Sequence, residues 1–242
     1  MSVPREDWSE AARFALYYAP PRESAWWQAG CAWLGRDPET GDALAPPPWV
    51  DGLSQPLETL TVAPRRYGWH GTLVPPFRLA PGVAPETLVA AAQQWAQRQA
   101  RLAVHVEAAT IGRFVALRPA DEAGETALRE LAADALRALD SLRAPQTGAE
   151  LAKRLDAPLT ARQRAYVEQW GYPYVFEEFR FHMTLSDSLN DAPARAQLVE
   201  AWNTRMRDAG PLPLEGAALF VEPEPGAPFA LWRRLPFAGG HA

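Results

Sequence analysis

The alternation of apolar and polar residues along the chain predicts a mixture of strands and helices. Residues 13–18, RFALYY, are rich in aromatics and are followed by Pro20-Pro21, which is typical of a strand. Residues 85–100 begin with proline and carry apolar residues at helical spacing, so they predict a helix. By the same criteria we expect helices over 24–34, 122–142, 160–170 and 192–208, strands over 102–108, 113–118, 214–221 and 229–235, and a loop over 37–50.

The order of these elements occurs twice. A strand with a His-x-Thr motif is followed by a helix, a strand, a turn and a second strand, which contains FVALRP in the first copy and FALWRRLP in the second. The interval from His70 to His182 nearly equals the interval between the starts of the two helices that follow them. The pattern indicates an internal duplication. We therefore predict one bilobal domain over 1–242, with lobes over about 60–142 and 180–237, an added strand over 10–18, and a connector or lid over 145–179.

The motifs are His70-Gly71-Thr72-Leu73 and His182-Met183-Thr184-Leu185, and they contain two of the four histidines in the chain. Residues two apart on a strand share a face of the sheet. Strand parity therefore predicts one polar face and one apolar face for each motif. The polar face is expected to hold Arg66, His70 and Thr72 in the first copy and Arg180, His182, Thr184 and Ser186 in the second; the apolar face of the second copy is expected to hold Phe179, Phe181, Met183 and Leu185.

Two imidazoles suit general acid–base catalysis because they titrate near neutral pH, and two hydroxyls can donate hydrogen bonds to phosphoryl oxygens. The alternative interpretation is that each motif is only a polar stripe on a half-exposed strand. Two histidines without cysteine, and without an acidic partner at metal-ligand spacing, make a poor zinc site. We expect neither a metal nor another cofactor.

Composition narrows the class of partner. The net charge of −5 argues against electrostatic capture of long nucleic acids, although a small phosphorylated substrate is compatible with it. No uninterrupted apolar stretch approaches the length of a membrane span and the N-terminus does not resemble a secretory signal, so we expect no membrane association. Cys31 is the single cysteine, which excludes an internal disulfide. We expect a cytoplasmic protein, and its oligomeric state is left open.

The segments RRYGWHGTLVPPFRL and FRFHMTL resemble the paired motifs of the 2H phosphoesterase superfamily. More narrowly, they resemble its subgroup of bacterial proteins encoded among phosphonate-utilisation genes, as do the opening RFALYYAPP and GRDPETG. The resemblance implies an α+β fold with two antiparallel sheets flanked by helices and a central cleft. It also implies metal-independent hydrolysis or formation of a cyclic or 2′,5′-linked phosphodiester. In this chain His70 and His182 would be the catalytic pair, and Thr72 and Thr184 would bind phosphate.

The phosphonate association makes 5-phosphoribosyl 1,2-cyclic phosphate a sensible substrate, and its second phosphate needs a cationic contact of its own. Arg66 and Arg180 rank first because strand parity puts them on the motif face, and Arg113 and Arg78 follow. Tyr17 or Tyr18 of the first strand is expected to border the cleft. Two alternatives stay open: an RNA 2′,3′-cyclic-end phosphodiesterase, and a non-catalytic protein that binds a phosphate ligand. Pseudo-symmetry also leaves open which histidine is the acid.

Overall fold

The computed structural model describes residues 8–239. Its strands are β1 (Arg13–Tyr18), β2 (Gly71–Phe77), β3 (Leu102–Val104), β4 (Val106–Ile111), β5 (Phe114–Pro119), β6 (Met183–Thr184), β7 (Leu212–Leu214), β8 (Gly216–Glu222) and β9 (Ala230–Pro236). Its helices are α1 (Ala25–Leu34), α2 (Leu57–Leu60), α3 (Val62–Tyr67), α4 (Pro85–Ala96), α5 (Glu122–Leu139), α6 (Gly148–Leu155), α7 (Ala161–Trp170) and α8 (Ala192–Met206).

The strands form two antiparallel sheets, which confirms the mixed fold class but distributes the strands differently from the expectation. Seven strands make one sheet in the order β4-β5-β6-β2-β1-β8-β9, and β3 pairs with β7 in a small second sheet. The large sheet therefore takes strands from both expected lobes instead of giving each lobe a sheet of its own. The two motif strands are neighbours within it, and Gly71 of β2 pairs with Met183 of β6.

A cluster of tryptophans fills the core on one face of this sheet. Trp33 of α1 and Trp202 of α8 are fully buried and their rings are 5.3 Å apart. The indole N–H of Trp33 donates a hydrogen bond of 2.7 Å to the carbonyl oxygen of Leu185, directly after β6. Trp69, which precedes the first motif, stacks on Trp202 at 5.5 Å. The second motif strand and the approach to the first are thus fixed to the same two helices.

Most elements lie where the apolar pattern predicts them, and the largest differences concern the motif strands. The expected helix over 24–34 begins after Ser24, whose side chain accepts from Trp27 N, and ends at Gly35 in the left-handed conformation. The expected helix over 160–170 has Thr160 as its N-cap in a full capping box. The ladder of β6, by contrast, has only two residues, and α6 lies in the 145–179 segment ahead of the expected helix over 160–170, at a place where the sequence pattern predicted no helix. Within residues 8–239, no helix is both long and apolar enough to cross a membrane.

Candidate active site

The two His-x-Thr motifs meet on one face of the large sheet. Gly71 and Met183 are opposite each other, so continuing the antiparallel register by one residue puts His70 opposite Thr184 and Thr72 opposite His182. All four side chains then project from one face of the sheet, and Gly71 and the side chain of Met183 face the other side. Directly opposed Cβ atoms in an antiparallel pair are about 5 Å apart. The fold therefore brings the two imidazoles and the two hydroxyls together in one small area.

Close packing on the reverse face holds this arrangement. Gly71 has no side chain, and the space where its Cβ would lie is occupied by the ring of Phe181, at 2.4 Å. Phe179, Phe181, Met183 and Leu185 are all buried, as the alternation predicts. Trp69 fits against Gly30 of α1, where an added Cβ would be only 2.1 Å from the indole ring. Each motif thus has bulky buried neighbours that restrict its movement.

The same hydrogen bond orients both imidazoles. His70 Nδ1 lies 2.8 Å from the carbonyl oxygen of Gly68, and His182 Nδ1 lies 2.9 Å from that of Arg180. A carbonyl can only accept, so Nδ1 carries the proton in each neutral ring and Nε2 keeps its lone pair. The hydroxyl of Thr72 lies 3.3 Å from Nε2 of His70 and can donate to it.

The surroundings of the rings favour their neutral forms. Burial lowers the pKa of His70 to about 4, against the hydrogen bond to Gly68, which raises it, and the nearby His182 lowers it further. Burial also lowers the pKa of His182 below its usual value, while the bond to Arg180 raises it. Near neutral pH both Nε2 atoms can therefore accept a proton.

Aromatic residues flank each imidazole. The ring of Tyr17 stacks on His70 with a centroid distance of 3.9 Å, and Tyr17 pairs with Thr72 across β1 and β2. Phe114 of β5 lies 5.6 Å from the ring of His182. Tyr18 points to the opposite face, where its hydroxyl donates 2.9 Å to the carbonyl oxygen of Pro213. Successive strand residues alternate in direction, so of the two tyrosines Tyr17 lies on the motif face beside His70 and Tyr18 lies on the opposite face.

A cleft of about 280 Å³ opens beside this cluster. Its polar lining includes His70, Thr184 and Asp187. The carboxylate of Asp187 accepts from Val62 N at 2.9 Å and Ala63 N at 2.8 Å, which holds the start of α3 beside the cleft. The remaining lining residues are Ala63, Pro64, Tyr67, Gly68, Phe114, Ser186 and Ser188, and strand parity had placed Ser186 on the motif face.

The two arginines expected on the motif face both have partners within the protein. Arg66 lies in α3 and not on a strand, so strand parity does not apply to it; its guanidinium pairs with the buried carboxylate of Glu222. Arg180 precedes β6 and is mostly exposed, with its Nε 3.3 Å from Glu125 and its Nη1 2.8 Å from the carbonyl oxygen of Glu177. Neither side chain lines the cleft.

The other two arginine candidates are also engaged. Arg78 makes a bidentate pair with Glu150, at 2.6 and 2.8 Å. Arg113 donates to the side-chain oxygen of Asn190. Among residues 8–239, no group of three or more His, Cys, Asp or Glu side chains is placed to hold a metal ion.

Comparison with known sequences identifies the family. The sequence profile of the family described as a protein of unknown function (DUF1045) matches residues 72–230, which include Thr72 and the whole second motif. The chain belongs to this family. In this chain the matched region runs from β2 to the start of β9, and it begins at the threonine of the first motif.

Two relatives carry the name ribose 1,5-bisphosphate phosphokinase PhnN. The protein from Janthinobacterium sp. (strain Marseille) is 39% identical over 254 residues, covering 99% of this chain and 54% of that protein. The protein from Laribacter hongkongensis (strain HLHK9) is 41% identical over 221 residues, covering 91% of this chain and 51% of that protein. The chain therefore spans about half the length of the curated relatives it matches. Both relatives are thus named as phosphokinases of ribose 1,5-bisphosphate.

Proposed function

We propose that this chain is a metal-independent cyclic phosphodiesterase of the 2H type that hydrolyses a small sugar cyclic phosphate. One observation carries the proposal: two His-x-Thr motifs from distant parts of the sequence meet across β2 and β6, each with its Nδ1 held by a carbonyl. Acid–base chemistry at phosphorus needs two proton-transfer groups and hydrogen-bond donors to the non-bridging oxygens. The four motif side chains supply these groups. The repeated order of elements and the repeated hydrogen bond favour an internal duplication as their origin.

The surroundings of the two histidines suggest a role for each. His70 has the pKa of about 4 and is stacked on Tyr17, so it is neutral and serves as the general base toward water. His182 serves as the general acid, because the negative charge of a bound phosphodiester favours its protonated form. The water oxygen bonds to phosphorus while the bond from phosphorus to the sugar oxygen breaks. His70 Nε2 takes the proton of the water, and His182 Nε2 gives its proton to the departing oxygen. Thr72 and Thr184 donate to the non-bridging oxygens.

The names of the relatives support a ribosyl substrate. Ribose 1,5-bisphosphate, which appears in both names, is the product expected when water opens 5-phosphoribosyl 1,2-cyclic phosphate at the O2 side. The phosphate then stays on C1 and the hydroxyl returns to C2. The same names also state a kinase activity. This chain contains no phosphate-binding loop sequence that would support such an activity. Its single lysine, Lys153, follows alanine and precedes arginine, so no Gly-Lys-Ser/Thr sequence is present.

The test is phosphorus NMR of the purified protein with 5-phosphoribosyl 1,2-cyclic phosphate and excess chelator. We expect ribose 1,5-bisphosphate as the product. Replacement of His70 or His182 by alanine should lower turnover by about 10² to 10⁴-fold, as is usual for loss of a general acid or base. His105→Ala is the matched control because His105 is exposed between β3 and β4, outside the cleft. Full activity in either motif variant, or activity that disappears with chelator, would contradict the proposed mechanism.

Two other functions give different results in the same experiment. Faster turnover of an RNA 2′,3′-cyclic end than of the ribosyl substrate would favour the RNA enzyme. Tight binding of a cyclic phosphate without any product after long incubation would favour a non-catalytic phosphate-binding protein. The net charge of −5 makes the RNA enzyme the weaker alternative.

A further inference from the structure

The cleft beside the motifs contains a carboxylate but no lysine or arginine among its lining residues within 8–239. The carboxylate is that of Asp187, and Tyr67 and Phe114 add aromatic surface to the same lining. The volume of about 280 Å³ is at the small end of the range for ligand cavities. The lining is therefore suited to a small neutral group that carries hydrogen-bond donors, and it is poorly suited to a second phosphate.

The local fold holds Asp187 in a fixed position in the wall of the cleft. Its backbone N–H donates a hydrogen bond of 2.7 Å to the carbonyl oxygen of Leu60, and its carbonyl oxygen accepts from the hydroxyl of Ser186 at 2.9 Å. Its Oδ2 accepts from Val62 N and its Oδ1 accepts from Ala63 N. Both the main chain and the side chain of Asp187 are thus oriented before a ligand binds, which lowers the entropy that binding costs.

The carboxylate of Asp187 can accept more hydrogen bonds than the protein supplies. An ionised carboxylate has about four acceptor positions on its two oxygens, and the backbone uses one on each oxygen. The hydroxyl of Ser186 does not compete, because it donates to the carbonyl oxygen of Asp187 and accepts from Val115 N at 2.9 Å. A sugar hydroxyl in the cleft can therefore donate to either carboxylate oxygen, and such charge-assisted bonds are stronger than neutral ones. The same negative charge repels a phosphate group.

Asp187 lies close to the groups that are proposed to react. It lines the cleft together with His70 and Thr184, and it follows Thr184 by three residues, so their Cα atoms are at most about 11 Å apart. Tyr67 has its ring 6.2 Å from that of His70 and is held by stacking on Phe229 at 5.1 Å. A sugar whose phosphodiester is bound by the motifs can therefore lie against Tyr67 with a hydroxyl within reach of Asp187.

We propose that Asp187 selects the substrate by accepting a hydrogen bond from a free hydroxyl of its sugar while the phosphodiester lies between His70 and His182. In 5-phosphoribosyl 1,2-cyclic phosphate this hydroxyl is the one on C3, because the oxygens on C1, C2 and C5 are esterified and that on C4 closes the ring. The inference rests on the proposed function for the position of the phosphodiester. It accounts for a cleft without lysine or arginine beside a phosphate-binding motif, since the cleft binds the sugar and the 5-phosphate lies outside it.

The experiment compares 5-phosphoribosyl 1,2-cyclic phosphate with its 3-deoxy analogue. In the wild type, loss of the hydroxyl should lower kcat/KM by about 10- to 100-fold, as expected for a lost hydrogen bond to a charged group. Asp187→Asn removes the charge and one acceptor oxygen, so it should reduce this preference to a few-fold. Asp121→Asn is the matched control and should keep the wild-type preference. The carboxylate of Asp121 accepts from Gly124 N at 2.7 Å at the start of α5, outside the cleft.

The ratio of the two substrates separates recognition of the hydroxyl from support of the fold. Asp187 also holds Val62 and Ala63, so Asp187→Asn can lower activity by loosening the start of α3. That effect would reduce kcat/KM for both substrates by the same factor and would leave the preference unchanged. An unchanged preference in Asp187→Asn would therefore overturn the proposal, as would a wild-type protein that does not distinguish the two substrates.

Calorimetry on the His182→Ala protein separates this inference from the proposed function, because binding needs no turnover. We expect the ribosyl cyclic phosphate to bind more tightly than its 3-deoxy analogue, and this difference should be lost when Asp187→Asn is added and kept when Asp121→Asn is added. That result would support the hydroxyl site even if the wild type hydrolysed neither compound. Equal binding of the two compounds, or no binding of either, would overturn it.

Discussion

Gly71 separates the first histidine from its threonine, and its replacement by alanine tests the packing that joins the motifs. A Cβ at this position would lie 2.4 and 2.5 Å from Cζ and Cε2 of Phe181, and 3.3 Å from Cγ of Met183. Favourable contacts between carbon atoms occur at about 3.5–4.0 Å, so the strand or the ring must move by about 1 Å. Phe181 is only 2% exposed, which leaves its ring little room to turn aside.

The cost of this movement can be estimated from its place in the sheet. Overpacking a core by one methyl group costs about 1–3 kcal/mol, and we expect Gly71→Ala to lower the free energy of unfolding by about 2 kcal/mol. Because the ladder of β6 has only two residues, β2 and β6 should move apart more easily than the buried ring of Phe181 can turn aside. His70 and Thr72 lie on either side of Gly71 and would move with the strand. A displacement of about 1 Å at reacting groups can cost on the order of 10²-fold in rate, so kcat/KM should fall by about that factor.

Urea denaturation followed by tryptophan fluorescence measures the first effect, and turnover of the cyclic substrate measures the second. Phe181→Leu removes both of the closest ring atoms, so the double variant should recover about 1–2 kcal/mol relative to the sum of the single changes. Gly52→Ala is the control because a Cβ at Gly52 meets nothing within 4 Å. If Gly71→Ala is as mild as Gly52→Ala, or strictly additive with Phe181→Leu, the motifs are not joined by this packing.

Three further changes test other parts of the site. The folded protein lowers the pKa of His70 to about 4 from the usual value of 6.5, so between these pH values the unfolded chain binds a proton that the folded chain does not. The free energy of unfolding should therefore decrease as the pH falls from 6.5 to 4, by at most about 3 kcal/mol. His70→Gln should remove this part of the pH dependence in urea titrations. Glu222→Gln leaves Arg13 and Arg66 without their shared carboxylate and should lower the free energy of unfolding by about 2 kcal/mol, which the same titrations measure. Thr184→Val should reduce kcat by about tenfold or more without changing the thermal midpoint by more than a few degrees, and an unchanged kcat would remove its hydroxyl from the mechanism.

The amphipathic pattern was a good guide to the longer elements and to the buried side of the second motif. The helices over Ala25–Leu34 and Ala161–Trp170 lie within one residue of the predicted bounds, 24–34 and 160–170. Residues 179–185 alternate between buried and less buried positions, although strand pairing is confined to Met183 and Thr184. The alternation survives outside the ladder because the buried side chains, more than the hydrogen bonds, determine the direction of each residue there.

The other residues of the site come together because of where the chain crosses the sheet. The local pattern of apolar and polar residues does not contain that information. Residues 62–67 contain Pro64 near the beginning of a short helix, where proline is tolerated, and the helix ends at Gly68 with φ of +77°. This turn breaks the strand parity that would have placed Arg66 beside His70. Tyr67 and Phe114 reach the site from other elements through contacts that only the three-dimensional fold creates.

The two halves agree in the atoms that would face phosphorus and differ in what surrounds them. Each histidine lies one residue before its strand begins, where the carbonyl two residues back is free to accept from Nδ1. The residue between histidine and threonine is Gly71 in the first motif and Met183 in the second. Tyr17 stacks on His70, whereas Phe114 lies at a greater distance from His182. A symmetric site would give both imidazoles the same pKa, yet hydrolysis needs one base and one acid. On the proposed mechanism the differences between the halves would therefore serve the reaction, because the surroundings of His70 lower its pKa to about 4 and keep it unprotonated as the base.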